Sequence, residues 1–95
     1  MLYDEFKQTG SAIDLRHSDA DRHGEDLYFN ILRNYVMRQK GFVYLTAKGE
    51  SMVLMSYFVS QLESDGLVRF AGACYNREGT RKILRLEVQN AVQSI

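Results

Sequence analysis

Proline is absent from this 95-residue chain, and with it the usual mark of a hinge or interdomain linker. Tryptophan is absent too, and a single cysteine, Cys74, excludes an internal disulfide and any cysteine-based zinc cluster. Cys74 is therefore expected to serve as a small buried hydrophobe. No apolar run approaches the roughly 20 residues of a membrane span. The opening "MLYDEFK" carries Asp4 and Glu5 where a secretory signal would be basic and then apolar, so a cytoplasmic protein with no membrane partner is expected. Net charge is zero, which excludes a chain that attracts polyanions through its bulk charge.

The charge that is present is unevenly placed. Residues 1–26 hold seven acids (Asp4, Glu5, Asp14, Asp19, Asp21, Glu25, Asp26) against three bases (Lys7, Arg16, Arg22), a net of −4. Residues 66–86 hold Arg69, Arg77, Arg81, Lys82 and Arg85 against Glu78, a net of +4. The two ends are of opposite sign.

Length and composition fit one domain over residues 1–95, an N-terminal arm or short helix over 1–23 followed by a core over 24–95. Leu27, Ile31 and Tyr35, with Tyr28, Leu32 and Val36 beside them, form one broad apolar face of a helix that ends near Lys40 and Gly41. "FVYLT", 42–46, reads as a buried strand. "ESMVLMSYFVSQLES", 50–64, reads as a helix apolar on nearly every side, and "SDG" closes it at Gly66. Such a helix is central, or it buries a face in a second copy through Met52, Met55, Tyr57 and Val59.

The last third reads as a β-hairpin around a five-residue loop, Asn76 to Thr80. Setting Tyr75 opposite Arg81 places Val68 opposite Val88, Phe70 opposite Leu86 and Gly72 opposite Leu84, one continuous apolar face. Arg69 then meets Glu87 on the other face. "QNAVQSI", 89–95, reads as a terminal helical turn or a frayed end. The expected fold is a small α+β domain, two main helices packed on a short antiparallel sheet with a C-terminal hairpin.

Metal and catalytic motifs are thin. Asp19-x-Asp21-x-His23-Gly24 imitates the start of a calcium loop, but position twelve would be Asn30 rather than a bidentate glutamate. The acids and Gly24 are better read as the start of the following helix, with His17 and His23 exposed and no metal held. No GxSxG, HExxH, P-loop or GxGxxG occurs, so no catalytic residue, no enzyme activity and no cofactor are expected.

"SQLESDGLVRFAGACYNREGTRKILRLEV", 60–88, resembles the second half of a winged helix-turn-helix domain, where a helix ends in a Leu-Glu-x-x-Gly-Leu-Val step and a basic hairpin forms the wing. The resemblance implies a winged-helix-like fold and a DNA-binding or transcription-regulatory protein, dimeric through the methionine-rich helix. Arg77, Arg81 and Lys82 would contact phosphates of double-stranded DNA, with Arg69 and Arg85 along the same hairpin. Ser56, Ser60, Gln61 and Ser64 would be the exposed face of the recognition helix. The alternative is a protein-interaction module, a homodimeric adaptor or small inhibitor, which zero net charge, the acidic first quarter and the very apolar helix support.

Overall fold

A computed structural model describes residues 1–10 and 12–89. Among these the order is α1 (Leu2–Thr9), β1 (Ala12–Asp14), α2 (His17–His23), α3 (Glu25–Met37), β2 (Phe42–Lys48), α4 (Ser51–Ser64), β3 (Val68–Tyr75) and β4 (Arg81–Val88). The α+β class expected from the sequence is the one observed. One four-stranded mixed sheet runs in the order β1-β2-β4-β3, with β1 parallel to β2 and the other pairs antiparallel. β1 thus adds a parallel strand to a sheet expected to be wholly antiparallel.

Strand alternation sorts the sheet into two faces. Val43, Leu45 and Ala47 of β2 and Leu84, Leu86 and Val88 of β4 point to one side. There they meet Leu32 and Val36 of α3 and Met55, Phe58, Val59 and Leu62 of α4, which makes the main core. The other face carries Tyr44, Thr46, Ile83 and Arg85, and α1 lies against it, with the Phe6 and Tyr44 rings 6.3 Å apart. The very apolar helix is explained without a second copy: α4 is the helix at the centre of the core.

Two local expectations are corrected. Asp19 and Asp21 do not belong to the start of the long helix: "HSDADRH" is a helix of its own, α2, which stops at Gly24. With φ 91° and ψ 134°, Gly24 turns the chain sharply into α3, whose first turn then takes Glu25 and Asp26 at its positive end. The helix expected to reach Lys40 ends at Met37. Of the terminal segment 89–95, only Gln89 falls within the described residues, where its N–H bonds to the Leu67 carbonyl at 2.8 Å.

The hairpin register holds for Val68↔Val88, Arg69↔Glu87 and Phe70↔Leu86, then slips by one. Ala73, not Gly72, stands opposite Leu84, and Tyr75 stands opposite Lys82 rather than Arg81. Ala71 and Gly72 together face Arg85, a β-bulge, and the Arg85 Nε–H donates to the Ala71 carbonyl at 2.9 Å. The slip moves Cys74 to the α1 side, opposite Ile83, and Tyr75 to the α4 side. Cys74 is only partly buried there, and desolvation pushes its thiol pKa up, which disfavours a reactive thiolate.

Gly72 makes the bulge possible. Its φ is 135°, and a Cβ there would sit 3.4 Å from Leu2 Cδ2 and 3.6 Å from Arg85 Nη2. Gly72→Ala is expected to cost about 1–3 kcal/mol through backbone strain. Chemical denaturation reads that as a lower midpoint; an unchanged midpoint would show that the bulge tolerates an L side chain.

Candidate functional site

The hairpin loop is stapled by Asn76, whose side-chain oxygen accepts from the N–H groups of Thr80 (2.9 Å) and Arg81 (3.1 Å). Arg77 is exposed at its tip. Lys82 is partly exposed on the α4 side of the sheet, opposite Ala47. The other three bases of the hairpin have carboxylate partners. Arg69 Nη2 lies 2.9 Å from Glu87, and Arg81 bonds to Asp14. Arg85 Nη1 grips both oxygens of Glu5 at 2.9 and 3.0 Å, and its guanidinium sits 5.0 Å from the Phe42 ring. Two acids of the first quarter, Glu5 and Asp14, are thus paired within the fold with two arginines of the hairpin.

The residues expected to form a reading helix are placed apart from the three paired arginines. Ser56, Ser60 and Gln61 are exposed on α4, which covers one face of the sheet, whereas Arg69, Arg81 and Arg85 lie on the opposite face. The residues expected to pair two copies are also redistributed. Met55 and Val59 are buried in the chain's own core and Met52 is partly buried, so only Tyr57, at 52% exposure, is presented.

Glu5 is the hub of the α1 contact. A hydrogen bond from the Tyr44 hydroxyl, and then the Arg85 guanidinium, hold its pKa below the ordinary carboxylate value. Tyr44 is pushed up, first by burial and then by the Glu5 carboxylate. A carboxylate with a depressed folded pKa stabilises the fold above its unfolded pKa, and that contribution is lost as pH falls through the folded value. Acid titration is thus expected to loosen α1 from the sheet before the core opens, seen as early changes in the Tyr44 and Phe6 ring resonances that Glu5→Gln removes.

Two further surfaces emerge that sequence reading did not find. The first is a polar cleft of about 830 Å³, where the ends of β1 and β2 pass into α2 and α4 beside the start of β4. Asp14, Arg16, His17, Lys48, Glu50, Ser51 and Arg81 converge there. The Ser51 Oγ accepts the His17 backbone N–H at 3.0 Å and lies 3.0 Å from the His17 Nδ1, while His17 Nε2 lies 3.1 Å from Glu50. His17 and Ser51 are 34 positions apart, beyond the reach of any periodicity. Locally the chain shows only that β2 passes into α4 through Gly49 and Glu50.

The second surface is the seam between α3 and α4. Val53 and Tyr57, one turn apart on α4, are 75% and 52% exposed. Beside them lie two shallow hollows of about 400 and 220 Å³, floored by Leu54, Phe29 and Phe58 and rimmed by Glu25, Asp26 and Glu50. On the far side of α3, Leu27 and Ile31 are also more than half exposed. The apolar face read from Leu27 to Val36 is thus only partly consumed by the core.

Among the described residues no group of three or more histidine, cysteine or carboxylate side chains is arranged to hold a metal, and no helix is long and apolar enough to cross a membrane. Compared with protein-family models, with curated proteins and with solved structures, the chain matches none.

Proposed function

We propose that this chain is a protein-interaction module that presents the acid-rimmed α3–α4 seam to a basic, partly apolar surface on another protein. The observation that carries this reading is the exposure of Val53 and Tyr57 amid the carboxylates of Glu25, Asp26 and Glu50. Apolar anchors ringed by charge of one sign supply what an interface needs: desolvation energy at the centre, steering and selectivity at the rim. A basic partner fits better than a second copy, because a two-fold pairing of this seam with itself sets like carboxylates against one another.

Contact with the backbone of double-stranded DNA is the second reading. It rests on the resemblance to a winged-helix hairpin and on Arg77 and Lys82, the two hairpin bases with no carboxylate contact among the described residues. Two phosphate contacts supply a shallow salt dependence, a slope of about −2, and correspondingly weak binding.

One experiment separates the readings. The full chain, immobilised, is used to capture proteins from lysate in parallel with Tyr57→Ala/Asp26→Lys and with Arg77→Ala/Lys82→Ala. Capture that falls at least about tenfold in the seam variant and is unchanged in the hairpin variant is expected, since interface anchors contribute about 2 kcal/mol or more each. Capture indifferent to the seam, together with salt-dependent binding of a DNA duplex that Arg77→Ala/Lys82→Ala abolishes, would overturn the proposal in favour of the second reading.

A further inference from the structure

The polar cleft borders the hairpin only at Thr80 and Arg81, and its chemistry exceeds what packing requires. Ser51 is the first residue of α4 and follows β2 through Gly49, a turn residue with φ 58°. This strand-turn-helix step sets Ser51, 6% exposed, in the wall of the cleft. The Glu50 carboxylate can only accept, so the neutral His17 ring keeps its proton on Nε2 and donates it to Glu50. Its Nδ1 then accepts the Ser51 Oγ–H, while the His17 backbone N–H occupies one lone pair of Oγ. The polarity runs from hydroxyl to imidazole to carboxylate, as a serine nucleophile, a general base and the group that orients the base require.

The surrounding charge suits an anionic substrate. Three cations, Arg16, Lys48 and Arg81, line the cleft against two carboxylates, Asp14 and Glu50, a net of +1 with His17 neutral. Arg16 and Arg81 both turn to Asp14, which leaves Lys48, at the end of β2, with no carboxylate contact among the described residues.

We propose that this cleft is a serine acyl-transfer site, with Ser51 as nucleophile, His17 as general base and Glu50 as the positioning residue for His17, acting on small esters whose acyl group carries an anion recognised by Lys48. Ser51 Oγ attacks the ester carbonyl as its proton passes to His17 Nδ1. The tetrahedral adduct collapses, the ester C–O bond breaks and the alcohol leaves with the proton held by His17. Water then repeats the sequence on the acyl-serine: its proton goes to His17, the Oγ–C bond breaks, Ser51 regains a proton and the carboxylic acid departs.

The test uses the full chain, a fluorophosphonate probe and the p-nitrophenyl monoester of succinic acid, with p-nitrophenyl acetate as the uncharged comparison. A single phosphonyl group on Ser51, located by peptide mass spectrometry, is expected. His17→Gln keeps the backbone N–H that caps against Ser51 and should slow labelling by about 100-fold or more. Glu50→Gln, at an exposed position, should slow it by about tenfold. Lys48→Ala should lower kcat/KM for the succinate ester more than for the acetate. A chain that is not labelled, or is labelled elsewhere, overturns the proposal. So does labelling at a rate that neither His17→Gln nor Glu50→Gln changes, which would leave Ser51 as a structural cap of α2.

Discussion

Phe58→Ala is expected to lower stability by about 3–5 kcal/mol, the range for emptying a fully buried aromatic site. Phe58 has no exposed surface, and it is where α3 and α4 meet. Its ring centroid lies 5.1 Å from that of Phe29, 5.9 Å from Tyr28 and 6.2 Å from Tyr57, each at a tilted angle that aromatic pairs favour. Removing it leaves three rings facing a void. Relaxation into that void is limited, because Leu32 and Val36 of α3 and Met55 and Leu62 of α4 are themselves packed against the sheet. Domains of this size have about 5–15 kcal/mol in total, so the variant should unfold at a much lower urea concentration. Phe58→Leu, which keeps most of the volume, should cost less than about half as much. Equal losses for the two variants would mean that the cluster acts through something other than filled volume. Because the Tyr57 ring packs at a tilt against Phe58, the alanine variant should also disturb the α3–α4 seam, and a binding loss there must be read beside the melting curve.

How far the sequence revealed this arrangement depends on the range of the interactions. α4 was legible almost to the residue, since a dense apolar stretch closed by Ser64-Asp65-Gly66 has few other ways to fold. The first three hairpin pairs were legible as well, because Val68, Arg69 and Phe70 match Val88, Glu87 and Leu86 in character and in phase. Past Phe70 the phase was lost. Ala71, Gly72 and Ala73 are small, and alternation among small residues does not say which side of a strand is which. The bulge was set instead by Gly72 and by an arginine on the neighbouring strand.

Two long-range features were beyond such reading. The sequence displays acids at one end and bases at the other, which invites a view of both as outward fields. The fold brings α1 back across the sheet, so that Glu5 meets Arg85 at a separation of 80 positions. His17 meets Ser51 in the same way, through parallel strands β1 and β2 that deliver the starts of two helices to one place. Contacts of this kind leave no period in the chain; they follow from topology.

If that internal neutralisation is what keeps the hairpin from polyanions, unmasking it should create an affinity. The variant Glu5→Gln/Asp14→Asn preserves shape at both positions and removes two carboxylates, so net charge rises from 0 to +2. Arg85 loses its doubly bonded carboxylate partner, and Arg81 and Arg16 lose the anion they share. Arg81 and Arg85 belong to the same face of β4, with exposed Arg77 just beyond them in the loop, so the freed charges form a strip rather than scattered points. Binding to a 20-base-pair duplex at 50 mM salt is expected to strengthen about tenfold, with a salt slope steeper by about 0.9 for each phosphate newly contacted, or about 1.8 if both β4 arginines engage. Adding Arg77→Ala to the variant should return part of that gain. Stability should fall modestly, since the Tyr44 and Thr46 hydroxyls each lose a charged acceptor. A duplex affinity identical to that of the wild type, in a variant that melts cooperatively, would show that the carboxylates hold α1 and β1 in place without masking the arginines. A gain would make the acidic first quarter an intramolecular counterpart of the basic hairpin, and the exposed carboxylates at the α3–α4 seam would be the part of that acidity left for a partner.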